Sequence, residues 1–487
     1  MEPLGTITVY FPFIEKETRD ILEKVMTEAD DYYDFVLKLG DLVLKNDPPI
    51  MVVYFAIYHC TLALEYKFIN RIREKYGEKH LILCPYLFWS SSYQGTVEDN
   101  KKVHEMADAI LATDPVDWIA LEMNFMKFEA DMRNYPTTIY KASTMDRIRE
   151  LIDSNPDFGF YEIVLLDYLA LRAHHDGDNE GRLRSINEGI RIAKEFDDQL
   201  RVAHLLIYRA SFFKGKEARK LLEQSYEIVD SILGIPAMFA NIIYELSVLD
   251  LNKGDFDNAI KRSLESVTIR ERVGLNTGNA SFLLSIAYNI IDEPESGLEW
   301  ACMAEDQFKS RPYMINRGIL SQIWSLILLK RLPEAEILLH STRESVLKSG
   351  DEHQLAWLHF VTGVWELNQG NFSIASSSIE QALTIYEQYS WSYYIQLLFL
   401  YHLAKIEVYC SDSTDAVAPS LAILEEKAII EDLPGVLGLV LLLKADIAIK
   451  NNDDSNLREI IQHLRSLVEN EGLQFLKSNL DRLLKRI

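Results

Sequence analysis

The residues nearest to a metal site lie in "HHDGD", where His174, His175, Asp176 and Asp178 stand almost side by side. Imidazole and carboxylate are ligand types, but a divalent ion needs them to converge, as helix ligands do at offsets of three or four residues. Neighbours on one loop do not converge, so the stretch reads as a solvated turn whose acids cap the helix that follows. Paired acids such as Glu293 and Glu295 say little in a chain with 74 Asp and Glu, because acid–base work requires them to meet in a desolvated pocket. No Walker-type phosphate loop, dinucleotide fingerprint, HExxH or GxSxG run occurs. The basic stretch "RIREKYGEKH", residues 71–80, is interleaved with acids and reads as the exposed face of a helix. No helix-turn-helix is evident. The sequence therefore assigns no catalytic residue, no metal ligand and no cofactor, and it is read as that of a protein without enzymatic activity.

Composition supports a large packed body. Of 487 residues, 48% are hydrophobic and 25% charged, while Gly and Pro number only 21 and 14, which disfavours long linkers and a turn-rich β fold. The formal net charge of −24 repels phosphate backbones and anionic lipid, so nucleic acid is excluded as a partner class and basic partners are favoured. Cys60, Cys84, Cys302 and Cys410 lie far apart and suit buried thiols in a reducing compartment. The N-terminus lacks a basic region ahead of its apolar run, and the longest such run, "VLGLVLLL" at 436–443, is too short to span a bilayer. A cytoplasmic location without membrane insertion is expected.

The chain repeats an outline. Small residues seven apart occur as Ala218 with Ser225, Ala259 with Ser266, Gly297 with Ala304, Ala335 with Thr342, and Ala375 with Ala382. The first members follow one another at intervals of 41, 38, 38 and 40 residues. Three residues before the last four stand Phe256, Pro294, Leu332 and Phe372, and Gly254 and Gly370 precede two of these by two. Glycine takes a positive φ without steric cost and so suits a turn between helices, while small residues admit a neighbouring helix. Upstream of each turn, stretches such as "AWLHFVTGVWELN" carry an apolar stripe at helical spacing. Each unit is therefore read as a helix pair, with the aromatic wedged beside the turn.

This outline resembles the tetratricopeptide repeat family. The best match is 357–383, where Gly363, Gly370, Phe372, Ala375 and Ala382 fall on the family's small and aromatic positions. Units here are longer than the family's 34 residues by about one helical turn, "LLKRLPEA" has lost its turn glycine, and Ile323 stands where a small residue is usual. The resemblance implies an all-α, right-handed solenoid. The expected organisation is an irregular, mostly helical N-terminal region over 1–155 that starts extended in "GTITVYFPFI", repeats over 156–456, and capping helices over 457–487 with the stripe Leu457, Ile460, Ile461, Leu464, Leu467 and Val468.

In that family the first helix of each pair lines the concave surface. Counting back from the small positions places Asn241, Tyr244, Asn279, Phe282, Trp324, Trp357, Phe360 and Tyr401 on that face, with Lys405 in the same ladder. Such a face suits a protein or peptide partner, basic or amphipathic, docked as an extended segment or a helix. The same aromatics at helical spacing also suit packing between neighbouring pairs. The expected function is a non-catalytic scaffold or adaptor. A regulatory sensor that binds a small peptide or metabolite is the second reading, and an enzyme sited between the N-terminal region and the repeats is the third.

Overall fold

The computed structural model describes residues 15–63, 65–76, 97–133, 142–155, 158–159, 161–175, 178–213, 215–309, 314–389, 393–410 and 418–485. The extended start expected at residues 5–14 and the thiol of Cys84 lie outside these. The described residues form α-helices with short connections and contain no strand: the protein is an all-α helical-repeat protein. It divides into two compact units, one running to Ile242 with Ile269–Leu275 added, the other comprising Ile243–Thr268 and Asn276–Ile487.

The first unit begins with α1 (Lys16–Thr27), α2 (Tyr32–Lys45), α3 (Ile50–Leu62), α4 (Tyr66–Tyr76), α5 (Val97–Leu111), α6 (Asp117–Arg133) and α7 (Ala142–Ser154). It continues through α8 (Tyr161–His175), α9 (Asn179–Glu195), α10 (Gln199–Ala210) and α11 (Gly215–Ile228) into the start of α12 (Pro236–Lys253). Asp178 caps α9 by accepting the Gly181 N–H at 2.8 Å, the role expected of the acids in "HHDGD". Phe35, Phe55, Phe128 and Phe158 are buried in this unit. Tyr32 Oη pairs with His59 Nδ1 at 2.9 Å, and Arg201 donates to Asp167 at 3.1 Å.

The second unit starts in α12 and continues through α13 (Phe256–Val273), α14 (Gly278–Ile290), α15 (Pro294–Phe308), α16 (Ile315–Leu328), α17 (Leu332–Ser349), α18 (Glu352–Asn368) and α19 (Phe372–Tyr389). It ends with α20 (Tyr393–Cys410), α21 (Pro419–Ile430), α22 (Pro434–Lys450), α23 (Asp454–Asn470), a 3₁₀ turn at Gln474–Leu476 and α24 (Lys477–Leu484). Turns here are closed by one bond, from an amide N–H to the carbonyl five residues back: Asp255 to Asp250, Glu293 to Tyr288, Arg331 to Leu326, Asn371 to Glu366, Leu433 to Ala428 and Asp453 to Ala448, each at 2.9 Å. That six-to-one bond demands a left-handed residue just ahead of the donor. Gly254 and Gly370 supply it at φ 77° and 78°, but Asp292 and Lys330 supply it at 67° and 60°, so the turn in "LLKRLPEA" survives the loss of its glycine.

Every small-residue position read from the repeat is buried: Ala259, Ser266, Gly297, Ala304, Ala335, Thr342, Ala375 and Ala382 here, Ala218 and Ser225 in the first unit. The reason is contact distance. A Cβ on Gly297 would lie 2.3 Å from Asn289 Oδ1, inside any van der Waals limit. Phe256 is fully buried as expected of a wedge, whereas Phe372 is 37% exposed. The difference is the cover: the Phe475 ring stands edge-on to Phe256 at 4.8 Å, and no described ring covers Phe372. On α23, Leu457, Ile460, Ile461, Leu464 and Leu467 form a buried stripe, and Val468 is half-buried.

The cover on Phe256 belongs to a larger closure. The first turn of this unit meets its last helices: Gly254 and Gly435 cross so closely that a Cβ on Gly435 would sit 1.9 Å from the Gly254 carbonyl oxygen. Beside it, Asp257 accepts the Gln474 N–H at 2.9 Å. Gly435→Ala therefore has to force two backbones apart. It is expected to lower the unfolding free energy in urea by about 3 kcal/mol or more, as over-packing does. Gly370→Ala, which meets nothing within 4 Å, should cost only the ~1–2 kcal/mol of a left-handed Cβ. Equal losses for the two variants would show that the crossing is not tight.

Candidate functional site

Four of the residues expected on the concave face come together in the second unit. Trp324 stands edge-on to Phe360 at 5.1 Å, Trp357 edge-on to Phe360 at 5.4 Å, and Phe282 edge-on to Trp357 at 5.5 Å. Phe399 stacks on Phe360 at 4.8 Å. Trp324 and Trp357 are 1% exposed and Phe360 is fully buried. The Trp357 Nε1–H donates to Tyr386 Oη at 3.1 Å, which in turn pairs with His353 Nε2 at 2.8 Å. These rings fill the space between the first helices of successive pairs. Truncating Trp357 or Phe360 to alanine would cost ~3–5 kcal/mol of core packing, so such variants report on folding before binding.

The other candidates are separate. Asn241, in the first unit, is half-buried and accepts from Arg270 Nη2 at 2.5 Å. In the second unit Tyr244 packs partly buried against Val267 and Leu284, and Asn279 is half-buried at the start of α14. Tyr401 is half-buried on α20 and lines a cavity, as does Trp324.

That cavity, of about 420 Å³, is the open remainder of the face that the aromatics otherwise occupy. Its walls come from the ends of α14 and α16 and from α20, α22 and α24. Leu328, Leu398, Leu439 and Leu442 are among its lining residues. Asn289, Asp292, Lys405, Asp446 and Arg482 bring polar groups from five different elements. Sequence reasoning placed Tyr401 and Lys405 in one ladder but missed Asp292, Asp446 and Arg482, because their convergence depends on how the last helices close over the first.

The electrostatics of the walls follow from burial. His402 forms part of the lining, edge-on to Phe360 at 4.9 Å, with Nδ1 on the Leu398 carbonyl at 3.0 Å. Desolvation pushes it down to about 3, so it is neutral. Burial pushes the Tyr401 phenol up. Lys405 is half-buried, and desolvation holds its ammonium below the ordinary lysine range, opposed by Asp292 and Asp446. Among the described residues no group of three or more His, Cys, Asp or Glu is placed to hold a metal ion. No helix of the described residues is long and apolar enough to cross a membrane.

No family model matches this chain, and no curated protein matches it. Solved structures share its helical course. One is a Rap protein complexed with competence and sporulation factor, at a TM-score of 0.43 and 15% identity, covering 67% of this chain and 98% of that one. Another is a signal transduction ATPase with numerous domains from Pyrococcus horikoshii, which has a tetratricopeptide repeat sensor. It aligns at a TM-score of 0.38 and 15% identity over 77% of this chain and 53% of that one, so this chain spans about half its length. At this level each likeness concerns the helical architecture alone.

Two buried histidines make stability pH-dependent. His59 in the first unit and His402 in the second both have folded values near 3 against an ordinary 6.5. Above 6.5 neither state binds the proton, and nothing is lost. Below it the unfolded chain binds protons that the folded chain refuses, so stability falls progressively as pH drops from 6.5 towards 3. Urea titrations at pH 7.5 and 5 should show this loss, and His402→Gln should flatten its share. An unchanged slope in that variant would mean that His402 is protonated in the folded state.

Proposed function

We propose that this protein is a non-catalytic interaction module that takes up a short peptide segment in the cavity of its second unit. The observation carrying this reading is the cavity itself: leucines and a larger share of polar surface line one space, within the roughly 300–1,000 Å³ typical of small-ligand sites. Its form narrows the class of partner. The space is walled by α14, α16, α20, α22 and α24 and is not a groove running along the repeats, so it offers no row of pockets at i, i+3, i+4 and i+7. A short extended segment suits the space better than a docked amphipathic helix. The scaffold reading thus becomes one in which a partner inserts a few residues.

The sensor reading is favoured by a separate observation. The cavity is walled both by first helices of the repeats and by α24, and the segment leading into α24 is tied to the first pair through Asp257. A ligand touching both would bias how tightly the unit closes, which is the differential contact that a relay requires. Both readings use the same site.

The test is an immobilised library of tetrapeptides that carry Leu or Phe at one position. The full chain should be retained, and Leu328→Trp or Leu442→Trp, which fill the cavity, should weaken retention by about tenfold or more. Ile337→Trp, on an exposed surface, should not. Unchanged retention of both cavity-filling variants, with unfolding midpoints near that of the parent, places the ligand elsewhere.

A further inference from the structure

Two donors in the cavity wall have no acceptor among the described residues. Trp324 is 1% exposed and its Nε1–H makes no hydrogen bond, whereas the indole of Trp357 beside it donates to Tyr386. A buried N–H without an acceptor is rare in folded proteins and calls for one. Lys405 is half-buried, and among the described residues it makes no hydrogen bond and no ion pair. An ammonium partly stripped of water gains most from a partner that is charged and accepts hydrogen bonds. Asp292 and Asp446 act on Lys405 without meeting it: Asp292 is exposed, and Asp446 has a further interaction of its own. The two donors are neighbours. Trp324 stands edge-on to His402 at 5.8 Å, and Lys405 follows His402 by three residues on one face of α20. All three line the cavity, and His402, neutral with Nδ1 on the Leu398 carbonyl, adds no charge between the donors.

One group answers both donors. A carboxylate has an oxygen for each, and it brings the negative charge that Lys405 lacks at contact. We infer that the segment inserted into the cavity carries a carboxylate, held by the Lys405 ammonium and the Trp324 Nε1–H. A neutral carbonyl would satisfy the indole and leave the ammonium without a counter-ion. This rests on the peptide-binding reading above and names the group that the cavity selects. It also runs against the formal net charge of −24, which favours basic partners at long range. The selection is local, because exposed charges are screened within a Debye length of about 10 Å and half-buried ones much less. A peptide has two sources of this group, its C terminus and an acidic side chain.

The experiment uses the full chain and three solution sets of N-acetylated tetrapeptides with Leu or Phe at one position. One set has a free C terminus and no acidic residue, the second is C-amidated with a Glu, and the third is C-amidated with Gln in its place. Each competes against a labelled peptide retained from the immobilised library. One or both carboxylate sets should compete about tenfold better than the Gln amides, the order of one charge-assisted hydrogen bond, and the set that does so names the source. Lys405→Met should bring that set to the level of the neutral one, because the two changes remove one interaction. Its unfolding midpoint should not fall, since no contact in the free protein is lost. Benzothienylalanine in place of Trp324, an indole shape without the N–H, should weaken the carboxylate set and leave stability unchanged. A preference that survives either replacement overturns the assignment of that donor. Equal competition by all three sets overturns the carboxylate and leaves the peptide-binding reading standing. No competition or direct binding by any set overturns that reading as well.

Discussion

Two glycines from opposite ends of the second unit share one space, and its architecture depends on that crossing. Gly254 ends the first helix of the first pair, and Gly435 lies in the first turn of α22. No side chain fits between them. Because the backbones touch, the last helices lie over the first pair instead of extending the stack. Phe475 can then cover Phe256, and Asp257 can cap the 3₁₀ turn before α24. With this closure, α24 becomes a wall of the cavity and no longer serves only as a terminal cap. The site is thus a product of the ends meeting, and no single pair contains it.

This explains which parts were legible in the sequence. Turns and small positions are local demands: a left-handed residue for the six-to-one bond, and a missing Cβ where helices touch. Gly254, Ala259 and Ala375 announce themselves because few residues meet such demands. Where another residue meets them, as Lys330 does, the motif weakens although the turn persists. The wedge at Phe372 was misread for the opposite reason. Its counterpart Phe256 is buried by Phe475, more than 200 residues further along, and nothing near Phe372 in sequence reveals that it lacks such a cover.

The aromatic ladder shows the same division. Spacing places Trp324, Trp357 and Phe360 on one helical face, and they do converge. Spacing cannot say whether a shared face looks onto solvent or onto itself. Here the face looks onto itself, and the rings interlock edge-to-face, with their combined apolar area removed from water. The polar groups of the cavity were less legible still. Asp292, Lys405, Asp446 and Arg482 are ordinary surface types, drawn from a turn and three helices, and only the closed path brings them to one wall.

Among the buried polar atoms of this unit, some are bonded to the next pair. Ser285 Oγ meets Ser321 Oγ at 2.6 Å, Ser325 Oγ donates to Asn289 Oδ1 at 3.0 Å, and Asn316 Nδ2 donates to Gln354 Oε1 at 2.7 Å. Helical repeats are commonly treated as interchangeable modules, each stabilised by its neighbours. These bonds make the pairs unequal. Deleting α16 and α17, a shift of 40 residues by the equivalent turns at Lys330 and Gly370, would bring Trp365 to the place of Ser325 and set an indole where the hydroxyl meets Asn289. Lineages descended from this chain would therefore tolerate changes of turn residue far more readily than changes of repeat number. Its copy number is fixed by chemistry that no single repeat displays.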